Sequence, residues 1–271
     1  MCWIFSFSQE NDSTVIRNIY SLALTEGRAY GWLDTLCHSI GGRLSGSPQA
    51  AKAVKWAEQT MTNAGAENVI LQEVMVPHWV RGEKEKAEII SSSNKMGVPL
   101  NVCALGGSIG TNGLPVAAQV IEVKNFDELK TLGKEKIQGK YVFFNRRMDP
   151  TKVNTFEAYG GAVDQRWAAA QRSAPYGAVG TITRSMTPEI DDFPHTGSMA
   201  YNDTVPKIPS CAISTVATEK LSEMLKHDEK LQFKLTMSCK MLPDTLSHNV
   251  IAELTGSEFP DQYIVVGGHL T

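Results

Sequence analysis

The sequence predicts an α/β protein, and three observations carry that reading. Apolar residues recur at helical spacing between Val15 and Met61. From about Leu105 short strand-like and helix-like segments alternate, with glycine-rich breaks between them. Near the end, an alternating segment and then a uniformly apolar one read as the first strands of a large sheet.

Each element has its own warrant. Residues 15–23 place Val15, Ile16, Ile19, Leu22 and Ala23 on one helical face. Ala29, Trp32, Leu33, Leu36 and Ile40 form a second stripe, closed by Gly41 and Gly42. After the turn-rich "GGRLSGSP", Ser47 is a natural N-cap and Pro48 a natural first helical residue. Ala51, Val54, Ala57 and Met61 keep helical spacing up to Gly65, which suits a C-terminal cap. "NVILQEVMVP" follows as a strand, so the chain opens α-α-α-β.

"LGGSIGTNGLP" is loop-like, and a denser rhythm follows it. "VAAQVIEV", "KYVFFN", "AVGTIT", "IPSCAIS" and "LQFKLTMS" read as strands. "NFDELKTL", "AVDQRWAAAQRSA" and "TVATEKLSEMLK" read as helices. This texture predicts a compact second domain, with a long loop through Pro188, Asp191, Asp192, Pro194, His195 and Gly197. Around "LPDTLSHN" the texture changes back. "NVIAELTG" alternates as a half-buried strand does, and "YIVVGG" is apolar throughout, as a strand covered on both faces should be.

Composition bounds the function. At 271 residues the chain holds one large domain or two ordinary ones. Hydrophobic residues make up 42% and charged residues 20%, normal for a globular protein. A net charge of −3 offers no basic surplus for nucleic acid or an anionic membrane, and no apolar run reaches membrane-spanning length. "MCWIFSFSQENDS" lacks the basic start and long apolar core of a complete secretory signal. Two readings stand: the tail of a signal whose start is missing, or a frayed apolar terminus. The five cysteines, Cys2, Cys37, Cys103, Cys211 and Cys239, form no CxxC pair and read as small core residues. Asn11 and Asn202 head Asn-x-Ser/Thr sequons, which matter only on a eukaryotic secretory route.

Few residues point to chemistry. His269 stands just past the second C-terminal strand, after Gly267 and Gly268, where sites form in open α/β sheets. An imidazole so placed is a candidate metal ligand, though a lone histidine there also reads as structural. Asp191, Asp192 and His195 cluster in the long loop. They read as a solvated acidic turn or as a contact for a metal or a peptide amine. His78 and Trp79 read equally as pocket lining or as edge-strand packing. No H-E-x-x-H helix, G-x-S-x-G elbow or phosphate loop occurs, and "GGSIG" lacks the frame of a dinucleotide site.

Five blocks in order carry a resemblance: "GGRLSGSPQAAKAVKWAEQTM", "NVILQEVMVPHWVRGE", "LGGSIGT", "FPHTGSMAYNDTVPKIPSCAIS" and "NVIAELTGSEFPDQYIVVGGHL". From about Thr25 to Leu270 the chain resembles the carboxypeptidase Q (plasma glutamate carboxypeptidase) family of dizinc peptidases. The resemblance implies a zinc-peptidase α/β domain into which a protease-associated (PA) α+β domain is inserted. It divides the chain into residues 1–112, the N-terminal helices and first strands of the peptidase domain; 113–242, the PA-like insert; and 243–271, the first central strands. It implies hydrolysis of dipeptides or short unblocked peptides, two zinc ions, a possible homodimer and a secreted or periplasmic location.

In the family this strand ends in Gly-His-x-Asp. His269 matches the zinc-binding histidine, and Thr271 stands where an aspartate is expected. The family's bridging aspartate, base glutamate and other ligands lie further along. On this resemblance the chain holds no catalytic residue and one metal ligand, His269, with His195 and Asp192 as substrate-binding candidates. It is expected to be the N-terminal part of a longer enzyme, inactive alone, binding no zinc stably and carrying an incomplete signal peptide. The other reading is a non-catalytic PA-type module for peptide binding or dimerisation.

Overall fold

The computed structural model describes residues 12–93 and 96–270. The apolar patch of the N-terminus, Cys2, Asn11 and Thr271 lie outside them. In chain order the elements begin with helices α1 (Asp12–Thr25) and α2 (Ala29–Asp34), a π-helical turn (Thr35–Ile40), helix α3 (Pro48–Asn63) and strand β1 (Glu67–Val80). Short strands β2 (Lys86–Ile90), β3 (Val98–Leu100) and β4 (Val102–Ala104) follow, then β5 (Val116–Val123), α4 (Phe126–Ile137) and β6 (Tyr141–Phe144). Next come α5 (Thr155–Gly160), α6 (Asp164–Trp167), α7 (Ala169–Ser173) and β7 (Gly180–Arg184). The chain ends with β8 (Ser210–Ile213), α8 (Thr215–His227), β9 (Gln232–Thr236) and β10 (Lys240–Glu253). It divides into two compact units, one of residues up to Val74 with those from Leu246 onward, the other Met75–Thr245.

In the first unit, α3 forms where the sequence places it. The Ser47 hydroxyl accepts a hydrogen bond from the Ala50 N–H at 3.1 Å, Pro48 opens the first turn, and Gly65 beyond the end takes φ +91°. Its face of Ala50, Ala53, Val54 and Ala57 is buried. By contrast α1 buries no residue, and α2 none. The stripe ending at Gly41 starts as an α-helix and finishes as the π-turn.

The uniformly apolar "YIVVGG" does not become a covered strand. Residues 263–268 carry no regular structure, and Tyr263, Ile264, Val265 and Val266 are 79–94% exposed. Apolarity marks a strand for burial, but ladder partners on its edges make it a strand. Among the described residues no strand pairs with this segment.

The second unit is built on one eight-stranded sheet in the order β3-β2-β9-β5-β6-β7-β8-β4. The central strands β5 to β8 run parallel, while β9, β2, β3 and β4 pair antiparallel. Strand alternation sorts the side chains to two faces. Tyr141, Phe143, Ile182 and Ile213 face a core closed by Ala217 and Leu221 of α8. Val142, Phe144, Val123 and Ala212 face another closed by Leu129 and Ile137 of α4 and by Ala169 and Ala170 of α7. All four residues of β6 are buried, which explains why that segment shows no alternation in sequence.

Two features depart from the sequence reading. Residues 86–104, where the sequence reading names no element, supply three strands of this sheet. The segment 162–174 is not one helix but α6 and α7 with a break at Ala168. The Trp167 carbonyl accepts from the N–H of Ala200, at 3.0 Å, rather than serving a continuing helix. Helix α4 breaks at Gly133, which takes φ +63°, so its first half ends at the Leu132 that closes the predicted helix. The "GGSIG" loop needs its last glycine, because a Cβ on Gly110 would sit 2.6 Å from the Met237 carbonyl oxygen.

Candidate functional site

His269 is exposed, as are the residues before it. Its neighbour is the anchored one: the Leu270 carbonyl accepts from Arg43 Nε at 2.9 Å. Arg43 also donates through Nη1 to the Gly41 carbonyl at 2.8 Å and to that of Leu36. One guanidinium thus ties this segment to the turn after the π-helix. Among the described residues no three histidine, cysteine, aspartate or glutamate side chains converge as metal ligands. A hydrolytic zinc site takes about three protein ligands per ion, so the residues described do not fit a two-zinc centre.

The Asp191–His195 loop is a pinned turn of the second unit. Asp191 holds the start of α8: its carbonyl accepts from the Thr215 hydroxyl at 3.0 Å and the Val216 N–H at 3.1 Å. The Asp192 carboxylate accepts from the Ser214 hydroxyl at 2.6 Å and from Asn101 Nδ2 at 2.9 Å. The His195 ring lies 3.7 Å from the Asp191 carboxylate, and its backbone N–H donates to the Ser185 hydroxyl at 2.8 Å. The structure therefore brings the three predicted residues together, with Asp192 committed to protein partners. Asp192, Phe193 and Pro194 line a cleft of about 470 Å³ together with Lys84, Lys86 and Glu88. His269 belongs to the first unit and this loop to the second.

Trp79 packs in the core rather than lining an open pocket. It is 8% exposed, its Nε1 donates to the Ser108 carbonyl at 2.8 Å, and the Arg81 guanidinium stacks over its ring. The thiols of Cys211 and Cys239 are buried. Burial, with the nearby Glu85 charge, pushes Cys211 well above the ordinary thiol range and Cys239 up to about 11. Neither is a thiolate at neutral pH, so both behave as apolar core residues. Asn202 is exposed, and its Oδ1 accepts from the Thr204 N–H and hydroxyl in a closed turn.

The sequence reading missed a polar chain across the carboxyl ends of β5 to β7. Asn145 Nδ2 donates to Glu122 at 2.7 Å, and Arg184 Nη1 donates to Asn145 Oδ1 at 3.2 Å and to Glu219 of α8 at 2.7 Å. Arg147 donates to the same Glu219 oxygen at 2.6 Å. Arg184 is 2% exposed. Burial raises the Glu219 pKa, but the hydrogen bonds and charges of Arg184 and Arg147 outweigh it and hold the carboxyl below the usual range. An arginine closing the otherwise uncharged "GTITR" strand was the signal available in the sequence.

Comparison with known proteins places this architecture. No model of a known protein family matches the chain. A crystal structure of a peptidase M28 precursor from Shewanella amazonensis superposes with a TM-score of 0.87 and 32% identity, over 95% of this chain and 57% of that one. A zinc aminopeptidase from Bacillus subtilis superposes with a TM-score of 0.53 at 18% identity, over 85% of this chain and 47% of that one, a likeness of fold alone. The fold is that of part of a zinc peptidase. Carboxypeptidase Q of Homo sapiens is 36% identical over 259 residues, 94% of this chain and 52% of that protein. Along nearly its whole length the chain is similar to carboxypeptidase Q and to an M28 peptidase, and it spans about half the length of the curated relatives it matches.

Proposed function

We propose that this chain forms the N-terminal part of a dizinc metallopeptidase that hydrolyses dipeptides or short peptides with unblocked ends, in a secreted or periplasmic setting. The carrying observation is that likeness to carboxypeptidase Q extends over 94–96% of the chain. On this reading residues 1–112 and 243–271 belong to the peptidase domain and 113–242 to a PA-like insert, and the protein forms a homodimer. His269 is one zinc ligand among several that a complete site of this family would require. The exposed apolar side chains of the first unit are the surface that such a domain buries.

A hydrolytic centre needs several donors on each cation, so the 271-residue polypeptide by itself is inactive. The purified chain, incubated with zinc and an unblocked dipeptide, is expected to show no turnover above buffer. Chelator-sensitive hydrolysis would overturn the claim of inactivity. Two zinc ions retained through dialysis would overturn the ligand count.

The other reading, a non-catalytic peptide-binding or dimerisation module, draws on the second unit having two complete cores. Sedimentation of the full chain tests its dimer arm. A concentration-independent monomer would count against it.

A further inference from the structure

We propose that the groove along the C-terminal half of β5 docks an extended acidic polypeptide segment, which adds to the sheet edge as a short strand. The inference does not rest on the peptidase reading. Its first ground is an unfinished ladder. β9 pairs with β5 only from Val116↔Leu235 to Gln119↔Gln232, with one further bond from the Val120 N–H to the Leu231 carbonyl at 3.3 Å. There the chain turns away into α8, while β5 runs on through Val123, paired with β6 alone. Backbone groups alternate in direction along a strand. The Val123 carbonyl faces β6, where it accepts from Asn145, so the N–H and C=O of Glu122 face the open side beyond Val120.

The second ground is what surrounds that edge. A groove of about 840 Å³ follows it, floored by Val120, Ile121 and Leu225. Lys124, Lys136, Lys140, Lys226 and Lys230 line it. Against these stand Glu122, engaged by Asn145, and Glu229 on the rim. Lys226 also meets Glu223 at 2.7 Å, on an open surface where such a pair holds loosely. The groove is thus locally basic on a chain whose net charge is −3.

The lysines also come from both faces of the sheet. Lys136 belongs to α4 and Lys140 to the turn after it, on the face of one core, while Lys226 belongs to α8, on the face of the other. Successive side chains of an added strand point to opposite faces. A consecutive run of glutamate or aspartate therefore meets lysine at either parity, which a run of alternating charge would not. Lysines also guard open edges against unwanted strands. A guard of that kind repels basic segments, disfavours apolar ones that would strip water from the lysines, and still admits an acidic one.

The backbone anchor is a single residue's pair of groups, so the affinity is modest and salt-sensitive. Fluorescein-labelled hexaglutamate is titrated with the full chain at about 50 mM salt, with a Kd on the order of 100 µM expected. In the unaltered protein, the peptide is expected to slow hydrogen exchange at the Glu122 amide. A hexaglutamate N-methylated at alternate residues, equal in charge but short of backbone donors, is expected to bind about tenfold more weakly. Lys226→Glu/Lys230→Glu, both exposed positions, should weaken the parent peptide about tenfold with an unchanged circular dichroism spectrum. No binding of hexaglutamate would overturn the proposal. So would equal binding of the N-methylated peptide, or preference for an oligonucleotide or heparin fragment, either of which would mark a surface that reads charge alone.

Discussion

The two units differ most in what their apolar side chains touch. In the second, Phe143, Phe144, Tyr141 and Phe233 are fully buried between helices and sheet. In the first, Ile16, Ile19 and Leu22 of α1 are more than half exposed, and Val265 and Val266 are about nine-tenths exposed. Both regions carry the sequence patterns of packed elements. The difference teaches that apolar spacing specifies which face an element offers, while the free energy comes from the surface that covers it. Burying one such side chain contributes roughly 1.5–3 kcal/mol, and a 14-residue helix without burial is marginal in water.

Four substitutions would break or sharpen this contrast. Phe144 is fully buried and packs edge-to-face on Phe126, ring centroids 5.4 Å apart. Phe144→Ala should lower the stability of the second unit by about 3–5 kcal/mol, seen as a shifted urea midpoint. A loss below about 1 kcal/mol would show that the core tolerates a cavity there and would erase the contrast.

Glu219→Gln is expected to cost about 1 kcal/mol, since it strands the buried Arg184 charge but acts at a partly exposed carboxylate. Its pH signature is more telling. The folded Glu219 carboxyl titrates below its ordinary value, so its contribution is present in full above the unfolded pKa and fades as pH falls through the lowered one. Urea midpoints of the parent should fall across that acidic window, and those of the variant should fall less. Parallel curves would remove Glu219 from the account.

Ser47→Ala deletes the cap of α3 and should cost about 1 kcal/mol locally, read as faster exchange of the Ala50 amide with the second unit unaffected. Ile19→Ala, on the uncovered face of α1, should change the unfolding free energy by less than about 0.5 kcal/mol. A larger loss would mean that α1 has a partner the exposed surface does not reveal.

Elements of both units were legible where their signals are local. "VAAQVIEV" is β5 residue for residue, and the Ser47-Pro48 start of α3 stands where capping chemistry requires. The strands at 86–104 were not legible. β2, β3 and β4 are three to five residues long, and β2 begins Lys-Ala-Glu, so their pairing with β9 and β8 decides their state. The break at Ala168 was hidden too, because the hydrogen bond that captures the Trp167 carbonyl comes from Ala200. Of the candidate site, the clustering of Asp191, Asp192 and His195 was readable from their spacing. The commitment of Asp192 to Ser214 and Asn101 was not, since those partners lie far away in sequence.

By itself the sequence determined the α/β class and most helix starts and central strands, because caps, turns and apolar periods act over a few neighbouring residues. Only the tertiary structure decided which apolar segments become strands, which edge of β5 stays open, and that the buried Arg184 meets Glu219 and Asn145. Those outcomes depend on backbone and charge partners supplied from distant parts of the chain. "YIVVGG" is the clearest case: its composition suits a central strand, but a strand exists only where a neighbour completes its hydrogen bonds.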